Sequence, residues 1–176
     1  MLLRKINAII SLLTTLFLLY HAIFTSIWML SKGSVEQSAP IAPWILAGLV
    51  AAHAFLSIYF AVSSHMEGEK RKVKSYPQMN RVTMFQRVSG ILLIIFTVLH
   101  IAGASGAMTP PHIVHVIVPP LFFTIALAHA AFSTEKAFIT LGIGNAIFIK
   151  VVGMVIKVIC SATLVASIAG FCLYAW

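Results

Sequence analysis

The 176-residue sequence is 60% hydrophobic and 9% charged, with a mean hydropathy of +1.01, too apolar for the surface of a soluble domain of this size. No polar stretch exceeds about twenty residues, too few to bury a core of their own, so residues 1–176 read as one polytopic membrane domain. The formal charge of +8 does not point to nucleic acid. Lys70, Arg71, Lys72, Lys74, Arg81 and Arg87 gather in one segment between apolar runs, where positive-inside bias alone puts them.

Five apolar spans follow one another at roughly 7–30, 42–63, 87–104, 113–132 and 146–175, each near or above the ~20 residues a bilayer requires. The first begins after Arg4 and Lys5 like a secretory leader, but it continues to Leu30 without a clear cleavage site and reads as a retained helix. Ser31 to Pro40 form the first break, and His65 to Gln86 the second and most charged. A Gly/Pro break runs from Gly103 through Pro110-Pro111. Ser133-Thr134-Glu135-Lys136 opens the last connection, which closes near Gly144-Asn145. Pro119-Pro120 should kink or widen the fourth helix. Cys160 and Cys172 form no CxxC pair and read as inert thiols.

Ten of the twelve Lys and Arg collect on one side of these spans and only Lys32 on the other, while Lys157 falls inside the fifth span, where it can snorkel. The expected fold is therefore an all-α bundle of five transmembrane helices with the N-terminus inside and the C-terminus outside. The chain has no Asp, and its four Glu (Glu36, Glu67, Glu69 and Glu135) all fall in predicted loops. No carboxylate is expected mid-membrane for a proton wire.

Four of the seven histidines, His21, His53, His100 and His129, lie inside spans, one on each of the first four helices. Ionisable residues there are costly and mark function by default; the bland alternative is hydrogen-bonded glue between helices. At ~1.5 Å per residue along alternating helices, His21 and His100 share an outer level and His53 and His129 an inner one. Two imidazoles at matched depth on facing helices are the axial set of a six-coordinate haem iron. Two ligands per level would leave zinc or non-haem iron under-coordinated. Ala22, Ala54 and Ala130 each follow a histidine and are small enough to let a flat macrocycle approach. Gly90, ten residues before His100, either admits the edge of the inner macrocycle or packs helices closely.

Gln86-Arg87-Val88-Ser89-Gly90 followed by ILLIIFTVLH, ending at His100, resembles the Q-R-x-[ST]-G…H helix of the cytochrome b subunits of succinate:quinone oxidoreductases and fumarate reductases. AHAFLSIYFAV around His53 and ALAHAAF around His129 resemble two further ligand helices of the dihaem members, so that the likeness covers nearly the whole chain. The resemblance implies two b haems, an inner one on His53 and His129 and an outer one on His21 and His100. It implies a flavoprotein carrying FAD and an iron–sulfur subunit on the inner face, with electrons passing between succinate or fumarate and a membrane quinone. It also implies the cytoplasmic membrane of a bacterium or archaeon. This subunit alone would not act on the dicarboxylate, having no flavin site.

Haem propionates need basic or hydroxyl partners near the membrane surface, which Arg87, Ser89, Lys150 and Lys5 offer at the inner side. Glu36, His112 and His115 lie on the outer side and are candidates for a quinone site that hands protons outward; the plain alternative is a solvated loop. Two other readings stay open: a cytochrome b subunit of a hydrogenase or formate dehydrogenase, and a haem-free transporter or structural protein, which would be colourless.

Overall fold

Long apolar runs in a lipid solvent must satisfy their own backbone hydrogen bonds, and helices do so within each segment. The computed structural model describes residues 2–31, 41–71, 81–104 and 112–174, with backbone alone at 41–42, 64–71, 104, 112–117 and 174. Five helices account for nearly all of them: α1 (Leu2–Leu30), α2 (Ile41–Arg71), α3 (Arg81–Ala104), α4 (His112–Leu141) and α5 (Ala146–Tyr174). Leu2–Leu30, Pro43–Ser63, Arg81–Gly103 and Ala146–Leu173 are long and apolar enough to cross a membrane, the mark of a multi-pass membrane protein. The side chains of residues 113–117, which open the expected fourth span, lie outside the described residues, and the described remainder of α4 is not among these four.

The helices outrun the predicted spans. Backbone expected as loop between His65 and Gln86 is helical to Arg71 and again from Arg81, because hydropathy marks where lipid ends rather than where a helix ends. Likewise α4 runs unbroken through Pro119-Pro120 and on to Leu141, past the expected connection at Ser133. It stops at Gly142, whose φ of 91° is open to glycine and costly for other residues. Gly142 N–H donates to Ile139 O at 3.0 Å and Ile143 N–H to Phe138 O at 3.2 Å, the two bonds of a Schellman stop. Asn145 then caps α5, its Oδ1 accepting from Phe148 N–H at 3.0 Å.

Small residues decide which helices approach closely. On α1 the buried positions are Ala8, Thr15, Ala22 and Ser26. On α5 they are Gly153, Cys160, Thr163, Ser167 and Gly170, a three-and-four spacing that supercoils one helix around another. Ser26 and Ser167 share a buried hydrogen bond of 2.8 Å where these seams meet. A Cβ on Gly170 would lie 3.3 Å from the Ser26 carbonyl, so the backbones themselves touch there. α4 carries the largest share of the buried core, including Leu127, Ala131 and Thr134. Large side chains such as Phe55, Val98 and Val165 face outward, as lipid contact requires. α1, α4 and α5 pack together, while α2 rests on α1 and α3 on α4 with little between α2 and α3.

Candidate functional site

The gap left by that arrangement is a cavity of about 1330 Å³ walled by α1, α2, α3 and α4, larger than the ~300–1,000 Å³ of an ordinary single-ligand pocket. Each helix presents to it a stripe repeating every three or four residues. On α1 the stripe is Arg4, Asn7, Ser11, Thr14, His21 and Thr25; on α3 it includes Thr83, Arg87, Gly90, Thr97 and His100. His53 lies on the α2 stripe and His129 on that of α4. All four intramembrane histidines therefore face one space.

The structure brings them together in the pairs that their depth suggested. The rings of His21 and His100 are 6.4 Å apart between centroids with planes at 76°, and Phe122 packs on His100 at 5.3 Å. His53 and His129 lie within electrostatic range of one another at the other level. Two imidazoles this close would each have a nitrogen to offer to one group held between them. Among the described residues no three His, Cys, Asp or Glu converge on one point, whereas each level offers two nitrogens, the number that a porphyrin leaves for the protein to supply.

Hydrogen bonds distinguish the two levels. His53 Nδ1–H donates to Asn7 Oδ1 at 3.1 Å, from α2 to α1. His129 Nδ1–H donates to Ser89 Oγ at 2.8 Å, from α4 to α3, and Ser89 passes its own proton to Phe85 O at 2.6 Å. Ser89, a propionate candidate by its sequence position, thus makes its long-range contact with His129. A Cβ on Gly90 would sit an ordinary 3.6 Å from His129 Cε1, so the missing side chain keeps cavity open rather than relieving a clash. Ala54 and Ala130 also line the cavity. Ala22 does not; it is fully buried in the helix packing.

At the inner end, by the expected topology, the wall carries Arg4, Arg87 and Lys136. Lys136 Nζ donates to Thr83 Oγ1 at 2.9 Å and to Gln86 Oε1 at 2.5 Å, and Gln86 Nε2 donates in turn to Phe132 O at 2.9 Å. Burial and the neighbouring Arg87 guanidinium hold the Lys136 ammonium below its ordinary pKa. Crowded cations at a cavity mouth suit an anionic group between them. Lys5 and Lys150 are exposed and do not line the cavity, whereas Arg4 and Lys136, which sequence reading passed over, do.

Glu135 is not in a loop. It lies on α4 and pairs with Lys157 of α5 at 2.5 Å, against the expectation that all four Glu fall in loops; the backbone of Glu67 and Glu69 is helical too, within α2. The charged run from Ser133 to Lys136 resembled a break, but helical phase sends Lys136 to the cavity and Glu135 to α5. Of the outer quinone candidates, Glu36 lies outside the described residues; His112 and His115 open α4, with their side chains also outside them.

Comparison of the chain with protein-family models, curated proteins and solved structures gives no match. The functional reading therefore stands on the cavity and its histidines.

Proposed function

We propose that this chain is a dihaem cytochrome b, a membrane anchor that carries electrons between a membrane quinone and redox subunits on its inner face. The observation that carries the reading is one 1330 Å³ cavity walled by four helices, each contributing one histidine, with the His21 and His100 rings brought to 6.4 Å of one another. Bound haem supplies one-electron iron chemistry. The chain would supply the rest: His53 and His129 would hold the inner iron, and His21 and His100 the outer one. Gly90 leaves room for a ring edge, and Arg4, Arg87 and Lys136 face the inner propionates. The lipid-facing aliphatic shell keeps water from both sites.

In this reading all five helices span the membrane, with the N-terminus inside by the excess of Lys and Arg there. The resemblance of the Gln86–Gly90 segment and of the sequences around His53 and His129 favours the succinate dehydrogenase and fumarate reductase class. The partners are then an FAD-bearing flavoprotein and an iron–sulfur subunit, and the setting a bacterial or archaeal cytoplasmic membrane. Glu36, His112 and His115 remain the proposed outer quinone contacts.

The test is a reduced-minus-oxidised optical spectrum of the purified chain with a pyridine haemochrome count, repeated on His53→Ala and His100→Ala. Two haems b per chain, with each substitution removing or disturbing a different one, is the expected result. A colourless protein would return the four histidines to helix-packing glue.

A further inference from the structure

The two histidine pairs differ in what stands behind them. Behind the inner pair are Asn7 and Ser89, each on a different helix from the ring it touches. Behind the outer pair are aromatic and histidine rings, and among the described residues neither His21 nor His100 makes a hydrogen bond.

We infer that Asn7 and Ser89 are positioning residues for the inner haem: each accepts the Nδ1 proton of one inner ligand, fixes its tautomer and makes it a stronger electron donor to iron. The inference rests on the dihaem reading above. An amide oxygen has no proton to give, so the contact with Asn7 Oδ1 requires His53 to carry its proton on Nδ1. The Ser89 hydroxyl has one proton, committed to Phe85 O at 2.6 Å, so at 2.8 Å it accepts from His129. Two unrelated side chains thus impose the same tautomer, and in both rings Nε2 keeps a free lone pair. Helix glue has no need of that coincidence, since either nitrogen would serve. A metal ligand does need it, because the coordinating nitrogen must be unprotonated and its partner is ordinarily anchored by an outer hydrogen bond.

Such a bond shifts electron density toward the coordinating nitrogen and favours the ferric iron. Removing the acceptor should therefore raise the midpoint potential of the inner haem and leave the outer one alone. The experiment is a redox titration of the full chain carrying its haems, the inner haem being identified as the one missing from His53→Ala. Asn7→Leu and Ser89→Ala should each raise the ferrous-to-ferric ratio of the inner haem about tenfold at fixed potential, ~59 mV for one electron. Ser89→Thr, which keeps the hydroxyl, should restore the wild-type value. Asn7→Asp, a stronger acceptor, should move the potential the opposite way. Unchanged inner potentials in protein that holds both haems, or equal shifts of both haems, would overturn the inference while leaving the dihaem reading intact. A wild-type chain without haem would remove both.

Discussion

Gly90 and Lys136 show how single residues shape the cavity from two directions. Gly90 keeps a volume open that protein atoms do not otherwise claim, since its nearest neighbour would be His129 Cε1 at an ordinary 3.6 Å. Gly90→Val should therefore fold and insert normally yet lose most of the inner haem, read as a halved haemochrome count with an unchanged elution profile. Lys136 contributes charge instead of space. Its lowered pKa means that the unfolded chain binds this proton more tightly than the folded one. The folded, haem-free protein should thus gain stability as pH rises from the lowered value toward the ordinary 10.5. Lys136→Met should abolish that gain, read as a melting temperature of the haem-free form that no longer rises across that window. In loaded protein the same substitution should speed haem loss to an acceptor such as apomyoglobin. A Lys136→Met variant that holds haem as tightly as wild type would remove the lysine from the propionate site.

Between helices, the Glu135–Lys157 pair joins α4 to α5, and a Cβ on Gly153 would collide with the Glu135 side chain, 2.5 Å from Oε1 and 2.7 Å from Cγ. The glycine is thus the opening through which the carboxylate reaches Lys157. Gly153→Leu should cost as much as breaking the ion pair itself, and a cycle of Glu135→Gln with Lys157→Met should give a coupling energy of about 1 kcal/mol by denaturant unfolding. A coupling near zero would mean that the two charges are solvated separately. This pair is also where sequence reading failed most plainly. Hydropathy gave the five apolar segments, and alternating depth paired the histidines, because both are properties of one chain counted along its own axis. Helix ends, the course of α4 past Ser133 and the partner of Lys157 depend on packing between helices, which no single segment encodes. Asn7 is an intermediate case. Its identity as a partner of His53 was hidden, but its place on a polar stripe with Ser11, Thr14 and His21 was present in the spacing of α1 and would have marked it as inward-facing.

For the molecule as a whole, the packing of α2 and α3 sets the energetics. Each leans on one neighbour and they scarcely meet, and the cavity of about 1330 Å³ opens beside them. On the dihaem reading, haem would join α2 to α4 through one histidine pair and α1 to α3 through the other. Ligands that bind only the folded state stabilise it by mass action. Haem-depleted protein should accordingly melt at a lower temperature and show faster amide exchange along α2 than along α5, whose seam with α1 is complete without any cofactor. Equal protection of the two helices after depletion would mean that the bundle closes without its haems.

The same parting between α2 and α3 bears on how the protein is made. On the dihaem reading, a bundle sealed on all sides would need its haems present while its helices assembled. A side left ajar would instead let an already inserted chain take up each group laterally.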